Sequence, residues 1–161
     1  MKNDQGLWNF IFSALFVVLL VLSIWILYTL GRLPTAIPFF DIVLISLATF
    51  RLTRLFVYDF VTQFVRDLFL DTELMQTAEG KVVLVRTKPS GGPRRTIIDL
   101  LSCPWCFGVW AALVVIFAYF LTPFAWFVIL VLAVAGVASF IQILVNMIGW
   151  RAEHLKKKAQ D

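Results

Sequence analysis

The sequence predicts an all-α integral membrane protein with four transmembrane helices, an interfacial amphipathic helix and a small cytoplasmic loop insertion. Three observations predict it. Hydrophobic residues make up 61% of the chain and charged residues only 15%, and the mean hydropathy is +0.90, far from the balance of a soluble domain. The 16 Phe and 6 Trp exceed what a small soluble core holds, whereas a bilayer takes Phe along its depth and Trp at its borders. Long apolar runs alternate with short breaks containing charge, Pro or Gly. A length of 161 residues leaves room for one domain, read as a single membrane domain over 1–161.

The first span covers about 7–30, an uncharged run of Leu, Val, Ile, Phe and Trp long enough to cross a hydrocarbon layer of ~30 Å. A signal peptide would have a shorter apolar region and a small-residue cleavage site, but Gly31-Arg32-Leu33-Pro34 follows here, so the run reads as an uncleaved anchor. The second span, about 38–58, rests on an apolar block from Ile37 to Phe50, after which Arg51 and Arg54 intrude. One reading continues the helix to Tyr58, with both arginines on one face and Arg54 snorkelling. The other ends the span early and lays an amphipathic helix from Arg51 to Leu70 along the interface, with Val57, Phe60, Val61, Phe64 and Leu68 toward lipid.

A polar stretch over about 66–100 reads as the one sizeable aqueous loop. Within it, Lys81 to Arg86 reads as a strand running into the turn cluster Lys88 to Pro93. A hairpin with Arg95 to Ile98 is one continuation, and a short helix capped by Thr96 is the other. The third and fourth spans, about 104–121 and 124–148, are parted by Thr122-Pro123, and a basic tail occupies 149–161. Four spans put both termini and the loop on one side. That side holds Lys2, Arg66, Lys81, Arg86, Lys88, Arg94, Arg95 and the tail cations, against Arg32 on the other, so it is expected to be cytoplasmic.

Only two cysteines occur, Cys103 and Cys106, too close together for a disulfide framework. In Cys103-Pro104-Trp105-Cys106 two thiols lie one turn apart at an expected helix start, where free N–H groups and the macrodipole favour a thiolate. Pro104 suits the first helical position. Three readings stand: a plain helix start with Trp105 anchoring at the interface, a candidate redox pair, and a metal site needing further thiols from a second copy. No complete metal site is expected, His154 sits among solvated charges, and no cofactor is implied.

Arg51 and Arg54 at membrane depth call for a carboxylate, a wet cavity or the headgroup region. Asp59 is the nearest acid in sequence and Asp99 a more distant alternative. Ser139, Gln142 and Asn146 share a face of the fourth span, and the small pairs Ala135/Ser139 and Gly108/Ala112 suit close helix packing, including packing against a second copy. The loop and tail cations suit anionic lipid or acidic partners as well as orientation during insertion. No nucleic-acid module is present, and no protein partner is named by the pattern. Hydrolase, zinc-protease and phosphate-loop signatures are absent, and no tandem repeat is evident.

Ala48-Thr-Phe-Arg-Leu-Thr-Arg-Leu55, then Tyr58-Asp59, then Leu101-Ser-Cys-Pro-Trp-Cys-Phe-Gly-Val-Trp110 together resemble a small bacterial membrane family of unknown function, some of whose members are associated with sporulation. The resemblance spans about Leu44 to Ala112, with a longer segment at Lys81 to Pro93 than the family leads one to expect. It implies a bacterial membrane protein and supplies no activity; with the charge placement above, this gives a multi-pass protein of the cytoplasmic membrane, both termini cytoplasmic. It also implies that the arginine face and the cysteine helix start form one unit, with Arg51 or Arg54 supporting a thiolate. Three functions follow in order: a non-enzymatic membrane scaffold or interaction protein, a thiol-redox protein using Cys103 and Cys106, and a small channel or transporter. An apolar pocket beside the cysteines favours the second, a continuous polar path past Arg51 the third, and neither the first.

Overall fold

The computed structural model describes residues 2–76 and 82–158. Helix α1 runs Lys2–Thr29, α2 Phe39–Val57, α3 Gln63–Asp67, α4 Pro93–Leu101, α5 Pro104–Leu121 and α6 Phe124–Lys158, while strands β1 Asp71–Gln76 and β2 Val82–Thr87 form a hairpin. Three of these helices are long and apolar enough to cross a membrane: α1 over Asp4–Thr29, α5 and α6. Helix α2 has 19 residues, about 28 Å at 1.5 Å per residue, but carries three charges, Asp41, Arg51 and Arg54. Asp41 interrupts the apolar block expected over 37–50; it sits in the first turn, where the helix dipole favours an acid.

Helix α2 is central and packs along both α5 and α6. The core is Ile45 and Ala48 of α2, Val115 of α5, and Ile129 and Ala133 of α6. Small residues permit this approach. A Cβ on Gly136 would lie 2.5 Å from the Leu47 carbonyl oxygen, so the two backbones all but touch there. The packed faces are therefore Ala133/Gly136 and Gly108/Ala111 rather than the expected Ala135/Ser139 and Gly108/Ala112: Ala111, Ala133 and Gly136 are buried. Helix α1 lies at the margin, against α4 and α5, with Phe16 edge-on to Trp110 at 5.3 Å.

At the end of the bundle that holds the turns, α1 closes on a left-handed Gly31 (φ 64°), with Arg32 N–H donating to Leu27 and Gly31 N–H to Tyr28. The Arg32 guanidinium then donates to the Leu121 carbonyl and covers the end of α5. The expected lone outer cation is thus a cap that ties the two turns together.

The opposite, polar end departs most from expectation. The all-α reading fails over 71–87, where the hairpin forms with register Asp71↔Thr87 through Gln76↔Val82. The expected strand exists but pairs with residues before it; Lys81, its expected first residue, and the segment 77–81 lie outside the described residues. Arg95 to Ile98 belong to α4 instead, which starts after Gly92 (φ 90°) with Pro93 in its first turn, so Thr96 is not its cap. The amphipathic helix expected over Arg51 to Leu70 is broken. Helix α2 carries both arginines to Val57, Asp59 is extended, and a 3-10 turn Phe60–Thr62 and the five-residue α3 follow. The physical reason is a cap: the Arg66 guanidinium donates to the carbonyls of Phe56 and Asp59, and the Thr62 hydroxyl to that of Leu55, satisfying acceptors that α2 leaves open. Phe60, Val61, Phe64 and Leu68 remain exposed as an apolar edge, and Val57 is half-buried. At the other margin α6 continues as helix through the basic tail to Lys158.

Candidate functional site

The polar ends of α2, α4, α5 and α6 gather the residues singled out in the sequence. Cys103 is the N-cap of α5 and Pro104 its first residue, as the spacing requires. The two sulfurs are 2.7 Å apart, and the Cys106 N–H donates to Cys103 Sγ at 3.3 Å. Both are free thiols, Cys106 exposed and Cys103 half-buried. The hydrogen bond with the Cys106 side chain, and after it the Cys106 N–H, hold the Cys103 thiol below its usual 9.0, while slight burial pushes the other way. The support comes from Cys106 and the helix start, not from an arginine.

The cysteines and arginines face different clefts. Cys106 lines an open cleft of about 470 Å³ between α1, α4 and α5, walled by Phe12, Phe16, Leu100 and Trp110, with Asn9, Thr96 and Asp99 at its polar margin. Arg54, Tyr58, Pro104 and Trp105 share another, of about 500 Å³. The arginine face and the cysteine helix start are thus neighbours through Pro104 and Trp105. Trp105 is 86% exposed, as an interfacial anchor should be. Gly108, one turn on, faces Thr53 of α2, where a Cβ would find ordinary contact at 3.7 Å.

Arg51 reaches along α2 to Asp59, Nη1 to Oδ2 2.8 Å, with both side chains about three-quarters shielded (23% and 24% exposed). Asp59 can be reached because α2 stops at Val57 and the chain turns back beside the helix; on a continued helix it would point elsewhere. Arg54 instead lies over the Tyr58 ring, 5.1 Å from its centre. Both arginines and Asp59 line a cleft of about 350 Å³ with Ser139, Gln142 and Asn146 of α6. Two features that the sequence offers separately, the arginine face and the polar face of α6, form one site. Beyond it the α2/α6 contact closes on Gly136 and the apolar core.

Two groups escaped the sequence reading. Gln5 Nε2 donates to Thr96 Oγ1 at 2.8 Å, and Thr96 Oγ1 to Asn9 Oδ1 at 3.1 Å, stitching the start of α1 to buried Thr96. Their signal was available: two amides one turn apart at the head of an otherwise apolar helix. The second is the pairing of the loop cations. Arg86 meets Asp67 at 3.1 Å and Arg94 meets Asp71 at 3.0 Å, while Lys88 and Arg95 both meet Asp99 at 2.8 Å. Burial pushes the Asp99 carboxyl up, but hydrogen bonds from Lys88 and Arg95 outweigh it and hold the group below its usual 3.8. Arg86, Lys88 and Arg94 thus clamp the hairpin to α3 and α4.

Residues 44–145 match the family described as Protein of unknown function (DUF1360). The chain belongs to that family. The match takes in α2 from Leu44 on, the hairpin, α4, α5 and most of α6, and leaves out α1, the first turn of α2 and the basic end of α6. Among curated proteins, the chain is 42% identical over 106 residues to "Sporulation protein YjcA" of Bacillus subtilis (strain 168), covering 65% of this chain and 90% of that protein. It is 30% identical over 112 residues to "UPF0713 protein YngL" of the same organism, covering 69% of this chain and 82% of that one. No solved structure matches. Every member of the Arg51, Arg54, Asp59 and Cys103/Cys106 groups lies inside the DUF1360 match, and of the α6 polar face only Asn146 lies outside it.

Proposed function

We propose that this DUF1360 protein spans the bacterial cytoplasmic membrane four times, with both termini and the hairpin in the cytoplasm, and carries a reversible thiol-disulfide site at Cys103 and Cys106. Four spans are supported by the length of α2 and by its charges, which stand at the first turn and the last two turns and leave an apolar middle. The excess of cations on one side supports this orientation. The likeness to a sporulation protein is consistent with a bacterial setting and carries no chemistry.

The observation that carries the thiol reading is the position of Cys103: an N-cap sulfur that accepts the Cys106 N–H, with the second sulfur 2.7 Å away. The cleft beside Cys106, largely apolar and aromatic, is the further feature that favours it over a scaffold. The co-reactant is a partner disulfide. The Cys103 thiolate attacks one sulfur of it, expelling the other as a thiolate and forming a mixed disulfide. Cys106, losing its proton to solvent, then attacks Cys103 Sγ and expels the second partner thiolate. The chain loses two thiols and gains one disulfide, and the partner is reduced by the same two electrons.

The test is alkylation mass spectrometry on native membranes, trapping both thiols before and after a mild reductant, with and without oxidised glutathione. A fraction of Cys103 and Cys106 that becomes reactive together only after reduction is the expected result. Two thiols that alkylate fully under disulfide challenge would reduce the site to a helix junction and return the protein to the scaffold reading.

A further inference from the structure

We infer that the cleft between the polar ends of α2 and α6 binds the phosphate of an anionic phospholipid, with Arg54 as its principal ligand. The inference does not depend on the thiol reading. Three observations lead to it. First, the charge is unbalanced by one. Arg51 is matched by Asp59, whereas among the described residues Arg54 pairs with no carboxylate and has only the Tyr58 ring beneath it. A cation with its planar fork open to a cleft at a membrane border suits one negative oxygen group.

Second, the opposite wall supplies neutral donors. Gln142 Nε2 donates to Asn146 Oδ1 at 3.1 Å, which orients the pair and leaves the Asn146 amide N–H groups and a second Gln142 N–H free to donate. Ser139 gives its proton to the Ala135 carbonyl at 2.8 Å and keeps its oxygen for water or a glycerol hydroxyl. One net positive charge and several neutral donors fit a singly charged phosphodiester better than a doubly charged ion.

Third, the depth is right and the surroundings are lipid-like. Arg54 lies in the last turn of α2, beside Tyr58 and Trp105, both exposed as border aromatics are. Ile143 lines the cleft on α6 and, with Met147 one turn on, is also exposed, offering an apolar path for acyl chains. Four loop cations, Arg86, Lys88, Arg94 and Arg95, are held in ion pairs with Asp67, Asp71 and Asp99. The lysine-rich end of α6 remains as the competing source of general attraction.

The experiment is native mass spectrometry of the full chain extracted from mixed phosphatidylglycerol and phosphatidylcholine vesicles, counting retained lipids. Phosphatidylglycerol should be retained in preference, and Arg54→Gln should lower that retention about tenfold, the loss of one charge-assisted ligand. Asn146→Leu, on an exposed face of α6, removes one neutral donor and the Gln142 hydrogen bond, and should lower it by a smaller factor. Millimolar inorganic phosphate should leave the lipid in place. Retention unchanged in both variants overturns the site. So does retention lost in a Lys156→Gln, Lys157→Gln, Lys158→Gln triple variant instead, which would mean attraction to the tail alone. Release by inorganic phosphate overturns the lipid as the ligand and makes this a site for the free anion.

Discussion

The two halves of α2 are held by different physics. From Phe39 to Phe50 the helix is fixed by shape: Ile45 and Ala48 sit in the core, and Leu47 presses its carbonyl against Gly136 with no room for a Cβ. From Arg51 to Asp59 it is fixed by partners: an ion pair, a cation over a ring, and a terminus covered by Arg66 and Thr62. In the proposed four-span arrangement α2 lies in lipid, where apolar burial does not draw one helix to another, so its first half depends on how closely small residues let backbones approach. The second half, which carries Arg51 and Arg54, depends on whether each polar group finds its match. Damage to the first half should therefore be steric and large, and damage to the second should be electrostatic and reversible by removing both partners.

Gly136→Leu should give the largest effect, costing about 3 kcal/mol through overpacking where the neighbour is backbone and cannot yield. Gly108→Ala is its control. The added methyl meets only Thr53 Oγ1 at 3.7 Å, so a change within about 0.5 kcal/mol is expected. Unfolding of the purified protein in mixed micelles by denaturing detergent measures both, and equal stability of Gly136→Leu and the native chain would refute the steric account.

Asp59→Asn comes next. It strands Arg51 in a shielded position, for a cost of about 1 to 2 kcal/mol, between the values for exposed and buried pairs. Removing both charges with Arg51→Met and Asp59→Asn should recover most of the loss. A double variant as unstable as the single one would mean that Asp59 acts by ending the helix rather than by pairing.

The same contrast explains what was legible in advance. Three long apolar helices could be read because composition and length decide them locally. The start of α5 at Pro104 is also local, a matter of which residue tolerates the first helical position. Pairings were not local. Nothing near β2 says that its partner is Asp71–Gln76 rather than Arg95 to Ile98, because either would satisfy the strand's hydrogen bonds. Arg51 could be matched to Asp59 only after the break at Val57 was known, and that break depends on Arg66, many residues on. The arginine face and the α6 polar face were each visible, but their union in one cleft depends on Gly136 bringing α2 and α6 together.

Thr96→Val probes whether α1 is held by shape or by partners. The substitution keeps volume and removes the hydroxyl that links Gln5 to Asn9, for about 1 to 2 kcal/mol of local stability. Hydrogen exchange should quicken in the first turns of α1 and in α4, and leave α2 and α6 unchanged. Loss of protection throughout the bundle would show that α1 is part of the core rather than fastened to its margin.

The smallest effect is expected at Asp99, whose ion pairs with Lys88 and Arg95 are well exposed, with 42% of the Asp99 side chain open to solvent. Its carboxyl titrates below its usual 3.8 in the folded protein, so the folded state favours the charged form. That contribution is present in full above the unfolded value and fades as pH falls through 3.8 and below the folded value. Protection of the α4 amides against exchange should therefore fall between about pH 5 and about pH 3, by more in the native chain than in Asp99→Asn, which has lost the titrating group. An identical fall in the two proteins would show that the Asp99 pairs hold α4 no more firmly than the other ion pairs of the hairpin, Arg86 with Asp67 and Arg94 with Asp71. The polar end would then be held by several interchangeable weak pairs, in contrast to the single close contact at Gly136 that holds the apolar half.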